Sequence, residues 1–296
     1  MKDESRRWFL AFLTVCLLPC GVLAGSSQVG SMLVVAGTGE AGFEDGSPGK
    51  FNKPIRLAPY GPGTVLVADI FNHAIRIVSV DGGVRTIAGR PEWKGFEDGM
   101  GATARFASPH GVAISQDGVI AVAEAENHTI RLLEWVPGSE GLGPESFTVS
   151  LAAGVPGEGG MKDGPAEEAL FQSPHAVAWT AQGDLLVADI GNARIRKVSS
   201  GVVETVAGSG EVGRRDGEGA EASFHYPMDI ALAEDGTLWI ADAGAHSVRA
   251  MQANGTVSTK ELTSGIDTPH GIAIGPDGTV YLAEMGTHRI LSISPD

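Results

Sequence analysis

Three histidines occupy one position of a repeated pattern. His110, His175 and His270 each follow a proline that opens an apolar run: PHGVAI, PHAVAW and PHGIAI. Two further copies place Ile55 and Met228 there. Imidazoles gathered by a repeat can hold Zn2+ as a three-histidine site with a fourth position open to water, the centre of a metal-dependent lyase or hydrolase. Asp229 is the neighbouring carboxylate that can orient or ligate, and Arg56 lies beside the same set. Ile55 and Met228 are poor zinc partners. The alternative is therefore a rim of variable residues that binds a ligand and does no chemistry.

A second set of charged residues recurs too often for catalysis. Asp69, Glu124, Asp189, Asp242 and Glu284 end similar apolar runs, and Arg76, Arg131, Arg196 and Arg249 stand seven residues after the first four. A catalytic group is needed once, whereas a carboxylate in every copy reads as scaffold, bonded to turn N–H groups or to arginine. Asp-Gly pairs at Asp45, Asp98, Asp163 and Asp216 read as loop geometry, with weak Ca2+ binding as the alternative. The chain has no Gly-x-Ser-x-Gly elbow, no His-Glu-x-x-His pair and no Gly-rich phosphate loop leading into a helix.

The elements that must position these residues are short strands. Residues 185–198, LLVADIGNARIRKV, read as two strands around a polar turn, with Asp189, Gly191 and Asn192 in the turn. The text recurs at 65–78, 120–133, 238–251 and 280–293. A proline-led strand precedes each copy through a turn containing Gly or Asp, and a VRTIAG-like strand follows the first four. Four antiparallel strands per unit, repeated five times, predict a β-propeller of five blades. The register marks are spaced 55, 65, 53 and 42 residues apart; the 65 contains an exposed loop at 136–146, and the 42 has lost its Asp-Gly loop. Residues 32–36, MLVVA, are a fourth strand with no unit of its own, and they are expected to pair with the third strand of the fifth unit and close the ring. The proline-led strand is innermost in a propeller, so Ile55, Arg56, His110, His175, Met228, Asp229 and His270 are expected at one mouth of the central channel.

Composition bounds the partners. The 296 residues include 42 Gly, are 43% hydrophobic and only 6% aromatic, and carry a net charge of −15. An acidic surface repels phosphate backbones and anionic lipid, so neither nucleic acid nor membrane is an expected partner. Residues 1–24 carry a net +1, which leaves −16 on the remainder. Arg6 and Arg7 precede a 17-residue apolar run, 8–24, ending in Val22-Leu23-Ala24. That is the pattern of a cleaved export signal, with a signal anchor as the alternative. The expected organisation is a signal at 1–24, a linker at 25–31 and a propeller at 32–296, secreted or in the secretory lumen, and monomeric. Cys16 and Cys20 both fall in the signal, so the mature chain has no disulfide and no thiolate. Asn127 and Asn254 begin sequons.

PHGVAI with AEAENHTIR, and PHGIAI with LAEMGTHRI, resemble the signature of NHL-repeat β-propellers over residues 32–293. Members of that family commonly close six blades, so five is a departure. The pattern also resembles peptidyl-hydroxyglycine lyases, propellers with Pro-His strand starts around a zinc. Those enzymes space their histidines on alternate blades of six and add disulfides and a Tyr and Arg near the metal. Here two histidines lie on adjacent blades, and Tyr226 and Arg56 are the only such residues near the mouth by sequence. The residues favour a binding scaffold for a protein or small molecule, with no cofactor, over an enzyme with zinc at His110, His175 and His270.

Overall fold

β-branched and small apolar residues alternate in short runs cut by Gly, Asp and Pro, and the chain obeys that pattern strand by strand. The computed structural model describes residues 33–262 and 265–294; the expected export signal and linker, both cysteines and Met32 lie outside them. Blade one holds β1 (Pro54–Gly61), β2 (Thr64–Asp69), β3 (Ala74–Ser79) and β4 (Val84–Gly89). Blade two holds β5 (Pro109–Ile114), β6 (Ile120–Glu124), β7 (Thr129–Trp135) and β8 (Phe147–Ala153). Blade three holds β9 (Pro174–Trp179), β10 (Leu185–Asp189), β11 (Arg194–Ser199) and β12 (Val202–Ala207). Blade four holds β13 (Pro227–Leu232), β14 (Leu238–Asp242), β15 (Ser247–Met251) and β16 (Thr256–Lys260). Blade five holds β17 (Pro269–Ile274), β18 (Val280–Glu284) and β19 (Arg289–Ile293). Every blade is an antiparallel meander, and the innermost strands pack in the order β1, β5, β9, β13, β17 around the axis.

Each recurring arginine is wholly buried and lies between two carboxylates. Arg76 meets Asp69 at 2.8 Å and Asp45 at 2.7 Å, Arg131 meets Glu124 at 3.2 Å and Asp98 at 2.5 Å, Arg196 meets Asp189 at 2.8 Å and Asp163 at 2.6 Å, and Arg249 meets Asp242 at 3.4 Å and Asp216 at 2.8 Å. The first carboxylate of each pair ends the second strand of the same blade; the second belongs to the Asp-Gly loop that leads into the blade. The guanidinium also donates to loop carbonyls, Glu44 and Lys50 in blade one and Lys162 and Leu170 in blade three. A phenylalanine face covers each one: Phe51, Phe106, Phe171 and Phe224. Burial pushes Glu124 up to about 7 and Asp189 and Asp242 up to about 6, against the arginines that hold them down.

A second contact joins neighbouring blades. His73, His128 and His246 sit in the left-handed region at φ 49°, 59° and 47°. Their Nδ1 atoms accept the N–H of Ser108, Ser173 and Thr268, the residue before the proline of the next blade. Those pre-proline residues are themselves at φ 51°, 52° and 50°, a conformation unfavourable for any residue with a Cβ. Ala193 replaces the histidine in blade three.

Of the strand expected at 32–36 to complete blade five, the described residues, 33–36, do not form one. Residues 33–36 have no strand assignment, and among the described residues β19 has no neighbour beyond β18. Ala36 and Phe51 instead pack on Val67, Val78 and Val84 of blade one, and Gly37 N–H donates to Pro48 carbonyl, so Ala36 and Gly37 are held against the first blade. Among the described residues, no strand fills the seam between blades five and one. Leu57 is 62% exposed where Val112, Val177, Ile230 and Ile272 are at most 5% exposed, and Ile290 is 72% exposed where its four counterparts are fully buried.

The histidine contacts make stability depend on pH in a known direction. Burial holds His73 and His128 below the ordinary imidazole value. The unfolded chain then takes up protons first, and their contribution is full above about pH 6.5 and falls as pH drops below it. The raised carboxylates pull the opposite way, so the quantity to measure is a difference. Between pH 7.5 and 5, the melting-temperature gap between the native chain and a His73→Ala/His128→Ala variant should shrink; a constant gap would show that these imidazoles are not acceptors.

Candidate functional site

A β-bulge aims the candidate residues. In every blade the ladder between the first and second strands slips one residue after the leading proline, between Pro54 and Arg56, Pro109 and Gly111, Pro174 and Ala176, Pro227 and Asp229, and Pro269 and Gly271. The bulged residues are Ile55, His110, His175, Met228 and His270. A bulge re-aims a side chain away from the alternation of the strand, and all five line one pocket of about 60 Å3 together with Arg56, Ala176, Asp229 and Gly271. Every mouth residue expected from the sequence is therefore brought together.

Close approach of the inner strands makes this possible. A Cβ on Gly111 would lie 2.6 Å from the His175 carbonyl oxygen, so no other residue fits there without moving blade two from blade three. Gly271 has more room, with the nearest atom at 3.5 Å.

His110 and His175 stack, with ring centroids 4.2 Å apart and planes 22° from parallel. His110 Nδ1 lies 3.0 Å from the Ser108 carbonyl oxygen, which fixes Nδ1 as the protonated nitrogen and leaves Nε2 as an acceptor. Burial lowers both imidazoles, His175 to about 3, with His110 and His270 adding repulsion. At neutral pH this wall is uncharged. Opposite it, the Arg56 guanidinium pairs with Asp229 and donates to the Ile230 carbonyl at 3.2 Å. Asp229, 2% exposed, also accepts from Ile230 N–H at 2.7 Å and Ile272 N–H at 2.8 Å. Its carboxylate thus ties blades one, four and five at the axis.

This arrangement does not fit a three-histidine zinc site. Nitrogen lone pairs lie in the ring plane, and two nearly parallel rings 4.2 Å apart point theirs side by side, not at one point about 2 Å away. Among the described residues no three His, Cys, Asp or Glu side chains converge to hold a metal ion. The Asp-Gly carboxylates are taken up by arginine and by backbone or hydroxyl groups, as with Thr86 and Asp45, or Thr259 and Asp216. Sequence reasoning placed them in loops but missed their arginine partners, since 31 to 33 residues separate each pair and spacing gave no signal. Tyr226 is 53% exposed and packs at a tilt against His225, outside the pocket. Asn127 Nδ2 is buried and donates to Gly95 carbonyl and Glu124, whereas Asn254 lies exposed in the turn between β15 and β16.

Five four- or three-stranded meanders around an axis define a β-propeller. Residues 106–131 match the NHL repeat family model, and the same pattern stands in all five blades, so this chain is an NHL-repeat β-propeller. Among curated relatives, it is 29% identical over 215 residues to Protein SUPPRESSOR OF QUENCHING 1, chloroplastic, from Arabidopsis thaliana, covering 69% of this chain and 20% of that one. It is 30% identical over 223 residues to human NHL repeat-containing protein 2, covering 67% of this chain and 28% of that one. The chain thus spans less than a third of the length of these relatives. Among solved structures, an inactive variant of virginiamycin B lyase from Staphylococcus aureus with quinupristin superposes with a TM-score of 0.56 at 14% identity, covering 84% of this chain and 69% of that one. The nidogen/laminin complex gives 0.56 at 16% identity, covering 81% and 75%. At these identities the likeness is one of fold.

The stacked pair makes a prediction for the ring protons. Since burial holds His175 near 3, its imidazole NMR signals should stay those of a neutral ring from pH 8 to pH 5. A titration with a midpoint near 6.5 would contradict the buried stack.

Proposed function

We propose that this NHL propeller is a binding scaffold whose histidine-lined mouth takes one small polar group of a partner. The observation that supports it most is the meeting of five bulged residues, one per blade, around a single pocket with a neutral imidazole wall and a fixed Arg56–Asp229 pair. At about 60 Å3 the pocket is the size of one or two water molecules. It suits an amide, hydroxyl or backbone group at the tip of a protein loop or small molecule, not a whole ligand. Neutral imidazoles with a free Nε2 offer both donor and acceptor character to such a group. The acidic composition and the apolar 8–24 segment support an exported protein that meets its partner outside the cytosol and binds neither nucleic acid nor lipid. The metal-dependent alternative requires His110 and His175 to unstack.

The test follows the imidazole NMR signals of His110, His175 and His270 during titration with acetamide and N-acetylated amino-acid amides. Saturable shifts confined to the mouth, abolished by Met228→Trp, are expected. Signals that no probe moves would overturn the reading. So would stoichiometric zinc in the purified protein that is lost in His270→Ala, which would make the mouth a metal centre.

A further inference from the structure

A large cavity lies at the far ends of the inner strands from the histidines. It encloses about 730 Å3 and opens where β5, β9 and β13 finish, at Ile114, Trp179 and Leu232, running outward between blades three and four. That volume is in the range of sites that engulf an entire small molecule. Its floor is apolar: Leu186, Val206, Leu232, Leu238 and Met251, side chains of the core shared by those two blades. Its rim is built from the turns that follow β9 and β13 and the turn between β15 and β16.

The rim has a clear charge balance. Asp184, Glu234 and Asp235 contribute three carboxylates and Lys197 one ammonium. Lys197 is already committed to Glu204, 2.6 Å away. No other cation lines the cavity. The amides of Gln116, Gln182 and Gln252, also on the rim, have no hydrogen-bond partner among the described residues. An apolar floor beneath an acidic rim complements one kind of molecule: an apolar body carrying a positive charge. An apolar anion would meet the same floor but be repelled at the entrance.

We propose that this cavity is a binding site for amphipathic cations, independent of the histidine mouth. The apolar part occupies the cleft between blades three and four, and the charged part stays at the rim facing Glu234 and Asp235, where the surrounding water lessens its desolvation.

A matched pair of probes tests this directly, because tetraphenylphosphonium and tetraphenylborate have nearly the same shape and opposite charge. The full chain is titrated with each by calorimetry. Tetraphenylphosphonium should bind saturably at one site, and tetraphenylborate at least tenfold more weakly. Two variants at exposed turn positions localise the binding without touching the core: Ala181→Trp fills the entrance and should abolish it, and Glu234→Lys/Asp235→Lys should weaken the cation at least tenfold. Added salt should weaken it as well. Absence of saturable binding, equal or tighter binding of the borate, or a phosphonium affinity unchanged in both variants would overturn the proposal. His270→Ala should leave phosphonium binding unchanged; a loss there would place the cation at the other mouth and equally overturn it.

Discussion

A buried guanidinium held between two carboxylates is the interaction on which the molecule depends. No blade can be assembled from its strands alone, since the loop leading into it comes from outside the meander and must be fixed to it. The arginine on the third strand does this. It reaches one carboxylate on its own hairpin and another on the incoming loop, and donates to loop carbonyls on the way. The hairpin carboxylate in turn accepts the N–H of a residue just ahead of its own blade's proline-led strand, Asn52 in blade one and Gln172 in blade three. Isolated, such a buried charge would be prohibitive; with its partners in place, it fixes where the proline-led strand begins.

From that fixed point the rest follows. The proline starts the inner strand, the bulge comes one residue later, and the bulged side chain faces the axis. The proposed function rests on the residue that varies at the bulge, because the arginine-locked frame around it repeats in the first four blades. Ile, His, His, Met and His at that position make a mouth that is part apolar and part imidazole, while Arg56 and Asp229, which occur in one blade each, lock it. The opposite ends of the same strands are closed by short hydrogen-bonded turns, Ser115 to Val119, Thr180 to Asp184 and Ala233 to Thr237, and there the chain opens a far larger space.

Much of the fold was legible in the sequence because five copies of one text leave little freedom. The mouth was legible too, since a position after proline is readable whenever the innermost strand is known. The bulge was not, because it depends on the slip between two strands and no residue type signals it. The role of His73 and its counterparts stayed hidden because their acceptor nitrogen meets the next blade, 22 to 45 residues away. Counting strands suggested that residues 32–36 complete blade five. Strand counting says nothing of where the first loop is anchored, and Asp45 on Arg76 and Ala36 on Val67 anchor it to blade one. Blade five also has a different lock: Leu291 stands where the arginine would be, and Arg289 reaches Glu284 from two residues earlier at 2.8 Å.

The central claim is that the buried arginine and its hairpin carboxylate act as one unit, and a double-mutant cycle at blade two tests it. Arg131→Met leaves Glu124 buried without its cation and should cost about 3–5 kcal/mol in denaturant unfolding. Adding Glu124→Gln removes the stranded charge and should recover a large part of that loss, giving a coupling of the order of 1–3 kcal/mol. Strictly additive losses, or an Arg131→Met variant as stable as the native chain, would contradict the account.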